Sequence, residues 1–343
     1  MTFSTEDHIF MRRALDLAAN GRGHVSPNPM VGAVITDRAG RIIGEGWHRR
    51  FGGPHAEVNA VRSVSEADRA LLHESTIYVT LEPCSHYGKT PPCAKLLTEC
   101  GFARVVVGAG DPNPRVSGRG IAMIREAGIR VDTGLLADES VALNRTFMTA
   151  QQLRRPFVTL KWAQSADGFM DCCRGAGEPA ARFSTPLSRQ LVHFRRACHD
   201  AIAVGAGTAI ADNPSLTVRD IWGNSPKAVI FDRHGLTDTA PCAIRDRAII
   251  IDGSSPLDST LGMLFSEHGI TSLLVEGGPS LLRGFIDSGL WDEAFVETAP
   301  FSLGERGTAP APVIASTPAG CMYINQNRVN FYSHTSADGV KNI

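Results

Sequence analysis

The sequence predicts an α/β protein made of two consecutive domains, and three observations carry that expectation. The chain has 343 residues, more than one hydrophobic core usually serves. In both halves short β-rich runs alternate with helical stretches, the pattern of a largely parallel sheet covered by helices. Between the halves a helical stretch ends in Arg154-Arg155-Pro156, where the proline biases its predecessor away from helix.

The elements follow in order. A first helix starts at a Ser4 or Thr5 cap and stops near Gly21, with Ile9, Leu15 and Leu17 among its apolar positions. Strands are expected at Val31-Gly32-Ala33-Val34-Ile35, Ile42-Ile43, Ile77-Tyr78-Val79-Thr80 and Val105-Val106-Val107, with helices around 56–63, 92–99 and 118–127. A further helix over 138–153 closes a first domain, 1–150. A second domain, 155–343, opens with Phe157-Val158-Thr159-Leu160. Its later strands are Ala201-Ile202-Ala203-Val204, Ala228-Val229-Ile230-Phe231, Ile249-Ile250-Ile251 and Leu273-Leu274-Val275. Residues 302–320, rich in Gly, Pro, Ala, Ser and Thr, read as a loop before a last strand near Val329-Asn330-Phe331-Tyr332.

Composition narrows the partners. With 43% hydrophobic and 20% charged residues and a net charge of −1, nothing calls for a nucleic acid or a membrane. The N-terminus reads as an amphipathic helix rather than a signal peptide. No run of about 18 apolar residues appears, so no membrane span is expected. Eight cysteines without an export signal read as thiols or ligands, and a cytoplasmic enzyme of small molecules is the expectation.

The chemistry is concentrated in His55-Ala56-Glu57, Pro83-Cys84 and Cys93. Catalytic zinc needs three protein ligands and an open position for water. One histidine and two thiolates fill three corners of a tetrahedron, and a neighbouring glutamate that is not a ligand can move protons between water and leaving ammonia. A surface His–Glu pair with core thiols is the bland alternative. A structural zinc site completed by Cys100 or His86 is another, but it leaves Glu57 without a purpose.

The spacing sharpens this reading. Eight residues separate the cysteines in Pro83-Cys84-Ser85-His86-Tyr87-Gly88-Lys89-Thr90-Pro91-Pro92-Cys93, where most deaminases of this group have two. That string closely resembles the hallmark of the riboflavin-pathway deaminases. Pro27-Asn28-Pro29-Met30-Val31-Gly32, Gly44-Glu45-Gly46-Trp47-His48 and Asp111-Pro112-Asn113-Pro114 resemble the family's other motifs in the same order. The resemblance implies a cytidine-deaminase-like α/β/α layer domain in which His55, Cys84 and Cys93 bind zinc and Glu57 shuttles protons. It also implies a substrate pocket lined by Asn28, His48, His86, Lys89, Asp111 and Asn113. The family's substrate is a phosphoribosylated diaminopyrimidinone, whose phosphate or polar ring edge His86 or Lys89 would suit.

In the second half, Glu276-Gly277-Gly278-Pro279-Ser280 follows a strand and opens a helix, a turn that can bring backbone N–H groups to a phosphate. An ordinary tight turn explains it equally well, and no G-x-G-x-x-G fingerprint is present. Resemblance adds more. Leu160-Lys161-Trp162-Ala163-Gln164-Ser165-Ala166-Asp167-Gly168, the string from Asp200 to Thr208, Asp212-Asn213-Pro214-Ser215-Leu216-Thr217-Val218-Arg219, and Val275-Glu276-Gly277-Gly278-Pro279 resemble the riboflavin-pathway reductases, whose fold is like dihydrofolate reductase. Carried over by position, Ala163, Thr208, Asp212 and the Gly278–Gly284 stretch, including Pro279 and Ser280, would contact NADPH. Arg196, Leu216, Arg219 and Glu276 would hold substrate, and Lys161 and Asp212 would assist proton transfer. Arg233, after Val229-Ile230-Phe231-Asp232, is expected to pair with the 2′-phosphate. The chain departs from the family's Gly-Glu-Ser and following tryptophan: it reads Gly177-Glu178-Pro179-Ala180-Ala181-Arg182-Phe183-Ser184-Thr185-Pro186, just after an unusual Cys172-Cys173.

The expectation is therefore a bifunctional enzyme of riboflavin biosynthesis: zinc-dependent deamination, then NADPH-dependent reduction of the ribosyl chain to ribityl. The expected partner is a small phosphoribosyl pyrimidine, with no nucleic acid or membrane and with a homodimer as the expected assembly. The competing readings are a deaminase with a non-catalytic second domain for structure or dimerisation, a zinc-stabilised regulatory nucleotide binder, and a nucleic-acid deaminase. Net charge and the eight-residue insertion count against the last.

Overall fold

A computed structural model describes residues 2–87, 91–113, 117–175 and 178–334. The chain divides into two compact units between Leu153 and Arg154. In the first, the order is α1 (Thr5–Ala19), β1 (Gly32–Thr36), β2 (Ile42–Trp47), α2 (Ala56–Ser63), a 3-10 segment (Glu66–Glu74), β3 (Thr76–Leu81), α3 (Cys93–Cys100), β4 (Arg104–Ala109), α4 (Arg119–Glu126), β5 (Arg130–Thr133), α5 (Ala137–Leu143) and α6 (Arg145–Leu153). The sheet runs β2-β1-β3-β4-β5. β1 is antiparallel to both neighbours, and β3, β4 and β5 are parallel.

Val105-Val106-Val107 reads as a continuous apolar run because both sheet faces are covered. Ala60, Leu97 and Ile124 from α2, α3 and α4 pack with Val105 and Val107 on one side. Met11, Ala14 and Leu17 of α1 pack with Val34, Tyr78 and Val106 on the other. α2 lies directly on β2: a Cβ at Gly46 would sit 2.3 Å from the Ala60 nitrogen, so only glycine fits there. The predicted helix over 138–153 is two helices. The chain breaks at Asn144, whose side chain accepts from Met30 N–H and donates to Met30 C=O, both at 2.8 Å. Main-chain hydrogen bonding by Asn competes with helix continuation.

The second unit contains β6 (Phe157–Gln164), α7 (Pro186–Ala197), β7 (Ala201–Gly205), α8 (Ala206–Asp212), β8 (Lys227–Phe231), α9 (Leu236–Thr239), a 3-10 turn (Arg245–Arg247), β9 (Ile249–Ile251), α10 (Leu257–Ser266), β10 (Ser272–Val275), α11 (Pro279–Ser288), β11 (Glu293–Thr298), a 3-10 turn (Gly304–Arg306), β12 (Gly320–Ile324) and β13 (Asn327–Ser333). Its sheet runs β12-β13-β11-β6-β10-β7-β8-β9. The six strands from β11 to β9 are parallel, and β13 and β12 add an antiparallel edge. Leu261 and Leu264 of α10 and Leu282 and Phe285 of α11 bury Leu160, Leu273 and Val275 on one face. On the opposite face α7 covers a small cavity where Lys161, Glu297, Ser188 and Arg195 stand among Leu191, Val192 and Phe295. Among the described residues no helix is long and apolar enough to cross a membrane.

Candidate functional site

In the first unit the ends of three elements meet. His55 is the N-cap of α2, Glu57 lies in its first turn, Cys84 follows β3, and Cys93 opens α3. Two helix N-termini therefore face the thiols, a setting that favours thiolate. His55 Nδ1 is 3.6 Å from Cys84 Sγ and 3.3 Å from Cys93 Sγ, and all three ligand atoms lie within 4.8 Å of one another. A tetrahedral zinc with ordinary Zn–S and Zn–N bonds has an S···N edge of about 3.6 Å, so the group fits the ion. The Cys93 N–H also donates to Cys84 Sγ at 3.3 Å, fixing that sulfur.

The thiols share their protons unequally. A hydrogen bond from Cys93, with His55 close by, pulls Cys84 down to about 4, and Cys93 is pushed up in turn by its bond to the Cys84 thiolate. His55 is held above its usual range, first by its hydrogen bond with Cys84. Glu57 is 3% exposed; burial, then the Cys84 thiolate, raises its carboxyl to about 7. A carboxyl poised there can both take and return a proton near neutrality.

The predicted pocket residues gather around this cluster. A proton on His48 Nδ1 donates to the Pro54 carbonyl (3.0 Å), which leaves Nε2 to accept from the Asn28 amide (3.2 Å). Burial lowers the His48 pKa, in keeping with a neutral ring. Its ring stands edge-on to His55, 5.4 Å between centroids. Burial raises Asp111 to about 6, and its Oδ1 accepts from the Asn113 N–H at 2.8 Å. His86 is exposed, and Lys89 lies outside the described residues.

Sequence reasoning missed two supports. Glu82, one residue before Pro83-Cys84, is buried and accepts from the N–H groups of Gly118 and Gly120, both at 3.0 Å, and of Asp111 at 3.4 Å. An acidic residue at the end of an apolar strand was the available signal. Asn59, one turn after His55, donates to the Trp47 and Pro54 carbonyls and so braces the His48 loop.

In the second unit a cavity of about 360 Å³ opens near the carboxyl ends of β6 and β10, where ligands of parallel sheets collect. Lys161, Ala163, Thr208, Asp212, Glu276, Gly278 and Pro279 all line it. Gly278 caps α11 with no side-chain hydrogen bond, and a Cβ there would lie 3.1 Å from Thr208 Oγ1. That bare helix start, closed by glycine, fits the diphosphate of a dinucleotide.

Other predicted residues lie elsewhere. Arg196 grips Glu276 through two bonds of 2.7 and 3.2 Å and donates to the Thr217 carbonyl, so it holds Glu276. Burial alone would raise Glu276, but Arg196 keeps it below the ordinary range. The Leu216 side chain joins a core cluster with Ile202 and Ile230. Arg219 is exposed and donates to Ser215 Oγ at 2.6 Å. Arg233 is exposed beside Gly253, and Ser280 and Gly284 are exposed on α11; none of the three lines the cavity.

The segment that departs from the family borders this cavity. Ala180 of that segment lines it, joined by Met170, Asp171 and Arg174 from just upstream, and Arg174 bridges Asp171 (2.5 Å) and Asp212 (3.0 Å). Cys172 and Cys173 make main-chain contacts with Gly307 and Arg306, and nothing explains their thiols.

Both units match known protein families. Residues 4–109 match the cytidine and deoxycytidylate deaminase zinc-binding region, and residues 156–317 match the RibD C-terminal domain. Riboflavin biosynthesis protein RibD of Aquifex aeolicus is 37% identical, covering 87% of this chain and 88% of that protein. RibD of Escherichia coli K12 is 35% identical over 90% of this chain and 92% of its own. The solved Acinetobacter baumannii RibD superposes with a TM-score of 0.85 at 32% identity, over 96% of this chain and 99% of that one. A diaminohydroxyphosphoribosylaminopyrimidine deaminase/5-amino-6-(5-phosphoribosylamino)uracil reductase from Thermotoga maritima gives 0.85 at 35% identity, with the same coverage.

Proposed function

The chain belongs to the RibD family of riboflavin biosynthesis proteins, and from that membership we propose which of its residues perform each half of the chemistry. The protein is a bifunctional zinc-dependent deaminase and NADPH-dependent reductase. Its first unit has the cytidine-deaminase-like fold and its second the dihydrofolate-reductase-like one.

In the deaminase, His55, Cys84 and Cys93 would hold zinc, which would supply an electrophilic centre to activate water for attack. Glu57 takes that water's proton and delivers it to the departing amine, so water and substrate become the ring carbonyl and ammonia. Asn28, held by His48, and Asp111 with Asn113 orient the pyrimidine, while His86 and Lys89 meet its polar edge or phosphate. The observation that carries this reading is the trio of ligand atoms at tetrahedral distances beside a buried glutamate.

In the reductase, Thr208, Gly278 and Pro279 cradle NADPH, which supplies the hydride for the ribosyl carbon. Lys161 gives the accompanying proton, with Asp212 and Arg174 fixing its side of the cavity. Glu276, clamped by Arg196, orients the sugar. Lys161 and the glycine turn on one cavity support this assignment. The same reading carries a cytoplasmic homodimer, testable by sedimentation of the purified chain and by cell fractionation.

The decisive experiment supplies the phosphoribosylated diaminopyrimidinone with and without NADPH and identifies the products by mass. Exchange of an amine for an oxygen is expected without NADPH, and addition of two hydrogens only when NADPH is present. Recovery of unchanged substrate from zinc-loaded protein would sink the reading.

A further inference from the structure

Glu297 is a buried carboxylate that no part of the mechanism above uses. It stands on β11, which runs parallel to β6 with Phe295 opposite Lys161 and Glu297 opposite Ala163. Partners in this register share a sheet face, so Lys161 and Glu297 project to the same side, beneath α7. Both line one small cavity there, and Lys161 also lines the larger cofactor-sized one.

Glu297 is fixed at both oxygens. Ser184 donates to Oε2 at 2.6 Å and Asn327 donates to Oε1 at 2.6 Å, and the same Asn327 amide reaches the Phe183 carbonyl at 2.8 Å. Phe183 and Ser184 belong to the segment where the chain departs from the family's pattern. The carboxylate thus ties that segment to the strand beside Lys161.

We propose that Glu297 is a positioning residue of the reductase, which keeps Lys161 in its ammonium form and anchors the 183–185 segment against the active strand. The proposal rests on the assignment of Lys161 as the proton donor. Burial works against a charged lysine at this place, and Glu276 and Glu297 work for it. Arg195 and Arg196 of α7 oppose them, while Asp171, Arg174 and Asp212 face Lys161 across the cavity. Burial prevails and holds Lys161 below the ordinary lysine range, so loss of the Glu297 charge, one of the two that oppose it, is expected to lower it further. Glu297 itself is held below its ordinary range: burial would raise it, but Ser184, Ser188 and Asn327 outweigh that.

Glu297→Gln removes the charge and keeps an oxygen and an amide for the two partners. In full-length protein supplied with the deaminated intermediate, the alkaline limb of NADPH oxidation is expected to move down by about one pH unit. The pH dependence of Lys161 acylation by acetic anhydride, read by peptide mass spectrometry, is expected to shift equally. An unmoved Lys161 titration in folded E297Q overturns the proposal. A shifted titration with an unmoved rate profile, and a Lys161→Met protein that still reduces, overturns instead the assignment of Lys161 as proton donor. Should E297Q fail to fold, the wild-type titration still tests the proposal: a Lys161 already neutral at neutral pH overturns it.

Discussion

At the scale of single residues, the deaminase site separates metal binding from proton transfer. Glu57 is hydrogen-bonded to Cys93 but is not one of the three clustered donors, so Glu57→Gln should keep zinc and lose chemistry. The expected outcome is a fall in ammonia release of about 10²- to 10⁴-fold, the usual worth of a general acid–base group. Zinc content by elemental analysis should match wild type. Cys93→Ser should do the opposite, emptying the site, because one donor of three is lost and α3 begins at that residue. A chelator should likewise abolish ammonia release, and added zinc should restore it. In the reductase, Arg233 has weaker standing, since its exposed side chain lies outside the cavity lining. If it meets the 2′-phosphate, Arg233→Ala should raise KM for NADPH at least tenfold more than KM for NADH, the worth of about 1.4 kcal/mol. Equal changes for both cofactors remove it from the site.

At the scale of elements, α1 shows how a helix is tied to the sheet it covers. Ser4 and Asp7 form a capping box, and Asp7 is also paired with Arg104 at 2.6 Å and accepts from Tyr78 at 2.8 Å. Arg104 meets Asp132 at 2.6 Å as well. Burial alone would raise Asp7, but the Arg104, Ser4 and Tyr78 hydrogen bonds bring it to about 2. An acid with a lowered folded pKa adds stability above its unfolded value near 4, and that stability is lost as pH falls toward 2. The contribution is about 2.5 kcal/mol. Arg104→Met leaves Asp7 with only its Ser4 and Tyr78 hydrogen bonds and Asp132 with only Arg130, and should cost up to about 3 kcal/mol, measured by urea denaturation at pH 7. The variant should lose less stability than wild type between pH 4 and pH 2, because Asp7 then lies less far below its unfolded value.

Elements also explain what was legible. Val105–Val107 and Leu273–Val275 announce strands because they are buried on both faces. α7 gives a weaker apolar signal because its inward side mixes Leu191 and Val192 with Ser188 and Arg195, and Arg196 is turned to Glu276. β12 is an exposed edge strand and was hidden beside the Gly- and Pro-rich stretch. The zinc ligands were readable because metal chemistry restricts both residue type and order. Asn59 and Glu297 were not, because a buried polar residue that braces a neighbour has no fixed spacing from it.

At the scale of the whole molecule, each unit carries its own sheet, its own core and one complete set of candidate groups. Lys161, the glycine turn and Glu276 all lie after Arg154, and His55, Glu57, Cys84 and Cys93 all lie before it. Neither chemistry therefore borrows a named residue from the other unit, and the two activities should fail independently. In the full-length chain, Glu57→Gln should block ammonia release yet reduce supplied deaminated intermediate at the wild-type rate. Lys161→Met should release ammonia normally and accumulate that intermediate without oxidising NADPH. An equimolar mixture of the two variants should convert substrate fully to the ribityl product, because the intermediate made by one is a diffusible small molecule that the other accepts. If the mixture stays blocked while each single activity survives, the intermediate does not pass through solution, and independence of the sites would hold for the residues but not for the flux.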